Sequence, residues 1–154
     1  MKIWVDADAC PKVIREIVIR AAERTGLETA FVTNQALRLN VAPHITLMQV
    51  PDGPDVADSR IVELCEPGDL VITADIPFAA RVVEKGAAAL DPAGRLYTTE
   101  NIKQILNMRD FMDSMRGSAV LDNSGGGGGP GFGPKERQEF SNQLDRIVAK
   151  AKKA

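Results

Sequence analysis

An α/β fold is what this sequence predicts: a three-layer α/β/α sandwich around a mainly parallel sheet of about five strands. Two observations predict it. Short apolar runs alternate along the chain with stretches of helical spacing, the pattern of successive βαβ units. The first of these runs is apolar from Ile3 to Val5 before it ends in acids, consistent with a buried strand. The 154 residues fit one domain, and 44% hydrophobic content is enough to build a core at that size. Crossovers between parallel strands are expected to be right-handed.

The elements follow in order. Lys2 to Asp6 is an apolar run ending in an acid and reads as the first strand. Pro11 is suited to the first helical position, with Cys10 as the cap, and Val13, Ile14, Ile17, Val18 and Ala21 recur at helical spacing until Gly26. Glu28 to Thr33 is the second strand, ending at Asn34, and Ile45 to Val50 is the third, closed by the turn Pro51-Asp52-Gly53-Pro54. Asp55 opens a helix to Cys65, broken by Pro67-Gly68. Asp69 to Thr73 is the fourth strand, ending at Asp75. Ile76 to Lys85 is a helix stopped by Gly86. Ala87 to Leu90 is a short fifth strand before the turn Asp91-Pro92-Ala93-Gly94, and 99–115 has helical spacing. Residues 122–134 hold seven of the thirteen glycines and read as a flexible loop. It is not a phosphate cradle, because no strand precedes it and no Gly-Lys-Ser/Thr enters a helix. Lys135 to Lys153 closes the single domain as an amphipathic helix with Phe140, Leu144, Ile147 and Val148 on its apolar side.

Composition narrows the function classes. Net charge is −2, so no whole-protein field points to nucleic acid, and Lys150, Lys152 and Lys153 read as a solvated helix end. Two cysteines, Cys10 and Cys65, make no disulfide framework. The chain opens straight into a strand, with no secretory pattern, and no apolar run approaches the ~20 residues that span a bilayer, so a cytoplasmic location with no membrane partner is expected.

Parallel sheets bind ligands beyond the carboxyl ends of their strands, near the point where strand order reverses. At those ends stand Asp6 and Asp8, then Asn34, then Asp52 and Asp55, then Thr73 and Asp75. Acids crowded at one edge repel unless protons or a cation compensate. Asp58 borders the apolar stripe of its helix, three residues before Ile61, and Asp55 lies on the same side nearer the helix start. Asp6, Asp58 and Asp75 are therefore expected to converge as metal ligands and catalytic groups, with Asp8 and Asp55 in support and Asn34 and Thr73 hydrogen-bonding the substrate or the carboxylates. Carboxylates without a His or Cys cluster suit Mg²⁺ or Mn²⁺, and His44 is the only histidine. Such an ion polarises phosphoryl oxygens and activates water, which points to phosphate substrates.

Each of these residues also has a plain structural reading. Asp after a strand is a common cap or turn former, which suits Asp52 and applies to Asp55. Cys10 is a structural cap whose thiol the helix dipole would acidify, with no base nearby to make it a nucleophile. Cys65 reads as a small core residue. Lys12, Arg15, Arg38, Asn40, Arg81, Lys135 and Arg137 are candidate phosphate donors, although each alone reads first as a solvated surface group.

Several blocks carry a resemblance. Val5-Asp6-Ala7-Asp8-Ala9-Cys10-Pro11 resembles the opening signature of the bacterial YaiI/YqxD family. Phe31-Val32-Thr33-Asn34, Asp55-Val56-Ala57-Asp58 and the run Gly68 to Pro77 match its later blocks. So do Gly86-Ala87 with Asp91 to Gly94, and Gly131 to Pro134 leading into Arg137-Gln138-Glu139-Phe140. That family resembles the PIN-like nuclease superfamily, which implies a PIN-like fold and a metal-dependent nuclease site at Asp6, Asp58 and Asp75. The expectation is thus a Mg²⁺- or Mn²⁺-dependent hydrolase of phosphodiester bonds, with RNA the expected partner ahead of DNA. Two alternatives stay open: a non-catalytic binder of RNA or protein on the same scaffold, and a phosphatase of haloacid-dehalogenase type, whose Asp-x-Asp also ends the first strand.

Overall fold

The computed structural model describes residues 1–35, 43–53, 55–107 and 133–153. The chain forms β1 (Ile3–Asp6), a short 3-10 turn (Ala7–Ala9), α1 (Lys12–Thr25), β2 (Thr29–Thr33) and β3 (Ile45–Gln49). It continues through α2 (Val56–Leu64), β4 (Leu70–Ile72), α3 (Ile76–Glu84), β5 (Ala88–Leu90) and β6 (Leu96–Tyr97). Residues 102–107 are helical and are called α4; α5 is Pro134–Lys153. The expected helix at 99–115 is described only to 107. The expected glycine loop at 122–134 lies outside the described residues except its last two, and so do Arg38 and Asn40.

One six-stranded sheet has the order β3-β2-β1-β4-β5-β6. The first five strands pair in parallel, and β6 returns antiparallel to β5 through Leu90↔Leu96 and Ala89↔Tyr97. The sixth strand, β6, joins the sheet of about five strands expected. It is two residues long, too short for any period to register in sequence. One correction concerns the first helix. It begins at Lys12, with Pro11 in the cap position at φ −59° and ψ 149°, not Cys10. Its other end matches the reading: Gly26 takes φ 74° as the left-handed terminator and donates to the Ala22 carbonyl.

Neighbouring residues of a strand point to opposite faces, so β1 separates two clusters of buried side chains. Ile3 and Val5 pack with Ile14 and Val18 of α1 and with Phe140, Leu144 and Val148 of α5. Trp4 packs with Ala57 and Ile61 of α2 and with Phe78 and Val82 of α3. Full burial of such side chains contributes about 1.5–3 kcal/mol each. Asp6 stands two residues after Trp4 and so faces α2 and α3. Sheet order also places the site: β2 and β3 extend to one side of β1, and the chain then returns through α2 to β4 on the other. The crevice between β1 and β4 is the topological switch point, where ligands of such sheets bind.

At the opposite edge a different acid serves the fold. Asp69, 8% exposed, accepts from Lys2 N at 3.0 Å, Trp4 Nε1 at 3.1 Å and Glu66 N at 2.9 Å. Among the described residues no helix is long and apolar enough to cross a membrane.

Candidate functional site

The site begins with Asp6, the last residue of β1, only 5% exposed. The β1–β4 register pairs Val5 with Ile72, so Asp6 comes beside Thr73 just beyond the end of β4. The fully buried Thr73 Oγ1 donates to Asp6 Oδ2 at 3.1 Å and accepts from Asp75 N at 3.1 Å. Thr73 thus bonds a carboxylate, as one branch of its expected role had it. Asp75 is the N-cap of α3, its Oδ1 accepting from Phe78 N at 3.1 Å.

The third element is α2. Asp58 is half-buried in its first turn, with Ala57 and Ile61 anchoring the helix to the sheet. Asp55 precedes the helix with φ 60° and ψ 14°, the one non-glycine at positive φ among the described residues. That conformation costs an L-residue about 1–2 kcal/mol, and its side chain makes no cap bond in return. Asp55, Asp58 and Asp75 each present a carboxylate oxygen within 4.8 Å of the others. The triplet therefore shares Asp58 and Asp75 with the set expected from sequence and adds Asp55, while Asp6 stands beside it.

These acids feel one another. The carboxyl of Asp6 is pushed up to about 6, first by burial and then by Asp58, Asp8 and Asp75, against the lowering effect of the Thr73 hydrogen bond. Asp58 is raised as well, by burial first and then by Asp75 and Asp55. Among the described residues no salt bridge reaches any of the four. The arrangement is an anionic oxygen-donor set that protons or a cation would relieve. A shallow cleft lined by Asp55, Ser59, Arg60 and Glu63 runs along α2 beside it.

The remaining expected residues lie around this centre. Asp8 is exposed and sits in the 3-10 turn, with its carboxylate on the side of β2. It accepts from Thr33 Oγ1 and, at 2.9 Å, from the backbone N–H of Asn34, so Asn34 enters through its amide. Asp52 is a turn residue, taking the Gly53 N–H at 3.1 Å. Arg15, a candidate phosphate donor, is engaged by the turn itself: its guanidinium donates to the carbonyls of Cys10 at 2.8 Å and Ala7 at 3.4 Å. Lys12, Arg81, Lys135 and Arg137 are exposed. His44 Nδ1 lies 3.3 Å from Glu28 Oε2, before β3 at the other end of the sheet. Cys65 is a core residue, as read.

Cys10 is the clearest reversal. A helix dipole was expected to acidify its thiol. Instead it is 4% exposed, and burial pushes it up to about 12, with Arg15 opposing and Asp6 adding to the rise. Desolvation prevails because Cys10 is buried within the α1 cluster. Sequence reading missed Thr33 and its grip on Asp8. The available signal was its place at the end of β2, matching that of Thr73 after β4.

Residues 4–150 match the sequence profile of a family described as "Uncharacterized BCR, YaiI/YqxD family". A UPF0178 protein of Thioalkalivibrio sulfidiphilus is 56% identical over 150 residues, covering 97% of this chain and 99% of the relative. One from Vibrio vulnificus is 56% identical over 153 residues, 99% of this chain and 100% of its own. One from Vibrio cholerae is 57% identical over 150 residues, 97% and 98% respectively. No solved structure matches the chain.

Proposed function

The chain belongs to the YaiI/YqxD family, and from that premise we propose that it is a divalent-metal-dependent nuclease, hydrolysing phosphodiester bonds of RNA in preference to DNA. The observation that carries this reading is the triplet Asp55, Asp58 and Asp75, three carboxylates from α2 and α3 within 4.8 Å at the switch point, with buried Asp6 beside them. The resemblance of the family to PIN-like nucleases supports the same reaction class.

The donor set fits Mg²⁺ or Mn²⁺: all oxygen, with Asp6 and Asp58 raised by burial first and by the neighbouring acids second. Asp58 and Asp75 would hold the ion, with Asp55 and Asp6 completing or flanking its shell. When bound, such an ion supplies Lewis-acid polarisation of a phosphoryl oxygen and a more acidic water. The chain's own groups do the rest. Asp6, buried beside the triplet, would accept a hydrogen bond from the attacking water and orient it. Thr73 keeps Asp6 turned into the crevice, and the Phe78 N–H holds Asp75 at the α3 terminus.

The test is cleavage of RNA and of single-stranded DNA by metal-stripped protein on addition of Mn²⁺, with Asp58→Asn and Asp6→Asn alongside. Wild type cleaves, RNA the faster, and each variant loses at least about 100-fold. Equal activity in wild type and variants would assign any cleavage to a contaminant and sink the reading. Binding of RNA with no metal response would favour the non-catalytic binder.

A further inference from the structure

The second acid of the Asp-x-Asp pair is wired unlike the first. Both oxygens of Asp8 are taken: Oδ1 by the Thr33 hydroxyl and Oδ2 by the Asn34 N–H at 2.9 Å. Thr33, itself 1% exposed, also accepts the Gln35 N–H at 3.0 Å. The same wiring recurs across β1, where Thr73 donates to Asp6 and accepts the N–H of Asp75, two residues on. At the carboxyl end of each strand flanking β1, the last residue of β2 and the first after β4, stands a threonine whose single proton goes to one of the two acids. Thr73 draws Asp6 toward β4 and the triplet. Thr33 draws Asp8 the other way, toward β2.

The turn between those acids is held from two sides. Asp8 ties it to the exit of β2, and Arg15 ties its carbonyls at Ala7 and Cys10 to α1. Asp6 is the residue from which this turn springs. We propose that Asp8 is a positioning residue: with Thr33 it clasps the turn after β1 to β2 and thereby fixes the orientation of Asp6 in the site. This rests on the metal-dependent reading above. It assigns the Asp-x-Asp pair two different duties, one acid for the site and one for its frame.

The test is Mn²⁺ affinity, read from the electron paramagnetic resonance of free Mn²⁺, for wild type, Thr33→Val, Thr33→Ser, Asp8→Asn and the double variant Thr33→Val/Asp8→Asn. Loss of the clasp weakens binding about 10-fold in Thr33→Val, the scale of a lost supporting partner. Thr33→Ser, which keeps the proton, restores it. Asp8→Asn loses a similar factor, because an amide has one acceptor oxygen and cannot accept from both the Thr33 hydroxyl and the Asn34 N–H. The double variant is no weaker than either single, because both break one contact. A large loss in Asp8→Asn with wild-type affinity in Thr33→Val would overturn the proposal, since Asp8 would then act on the ion itself. Wild-type affinity in both would also overturn it, leaving the clasp a matter of the fold alone. Should Thr33→Val fail to fold, Thr33→Ala takes its place. Failure of the wild type itself to bind Mn²⁺ would sink the metal reading and this role with it, whereas the other adverse outcomes leave that reading standing.

Discussion

Replacing Asp6 by Asn should stabilise the metal-free protein, and the amount can be worked from the structure. Asp6 is 5% exposed, and its pKa rises from 3.8 to about 6, through burial first and its acidic neighbours second. A raised pKa means that the folded chain binds the proton more tightly than the unfolded one. Below 3.8 both states hold it and the residue is neutral in the balance. Between 3.8 and about 6 only the native state holds it, so stability falls as pH rises across that window. Above about 6 the full penalty stands: roughly 2.2 pKa units at ~1.36 kcal/mol each, or about 3 kcal/mol. Asn has no such ionisation and keeps an oxygen to accept the Thr73 proton. Urea unfolding in chelator, followed by circular dichroism from about pH 4 to about pH 8, measures both curves. Asp6→Asn should be more stable than wild type by about 2–3 kcal/mol at the alkaline end, with the gap closing toward pH 4. Superimposed curves would refute the electrostatic account, and so would a gap that widens as pH falls.

Two further outcomes follow from the same geometry. Mn²⁺ or Mg²⁺ should raise the thermal midpoint of the wild type, by the equivalent of about 2.7 kcal/mol at a hundredfold excess over Kd, and Asp58→Asn should abolish most of that rise; differential scanning fluorimetry reads both. Asp69→Ala strips an acceptor from three N–H donors and should cost on the order of 3 kcal/mol in urea unfolding, followed by the fluorescence of Trp4, with Mn²⁺ affinity in the folded protein unchanged because Asp69 lies at the far edge of the sheet.

Much of this architecture was legible in the residues. The short, largely apolar runs of β1, β2, β4 and β5 match their burial, and β3, mostly exposed, is marked by the turn that closes it, so β1 to β5 stood out within a residue or two. Asp6 could be placed because it ends such a run. Asp58 could be placed because Ala57 and Ile61 mark the buried stripe of its helix. What was hidden depends on strand order or on backbone conformation. Thr33 meets Asp8 and Thr73 meets Asp6 only because β2 and β4 flank β1, an adjacency no local pattern encodes. Asp55 read as a cap; its left-handed backbone, which leaves the carboxylate to the triplet, is a tertiary outcome. The Cys10 thiol is raised and not lowered because its burial, another tertiary outcome, opposes the helix dipole that the local sequence implies.

The two buried acids of the sheet separate a carboxylate that serves the fold from one the fold merely tolerates. Asp69 and Asp6 are similarly hidden, at 8% and 5% exposure, near opposite ends of adjacent strands. Asp69 gathers three N–H donors, joining the chain start, the Trp4 indole and the turn before β4. Its burial is offset by the bonds it makes. Asp6 receives one hydroxyl proton and faces three other acids, all of which raise its pKa. A neutral isostere would keep that one bond and lose the repulsion, so stability supplies no reason for an acid at position 6. The penalty of about 3 kcal/mol is a sizeable part of the ~5–15 kcal/mol that holds a domain folded. A cation bound beside it, as proposed above, would turn the same repulsion into binding energy, which makes the destabilising acid, and not the well-satisfied one, the candidate for the site.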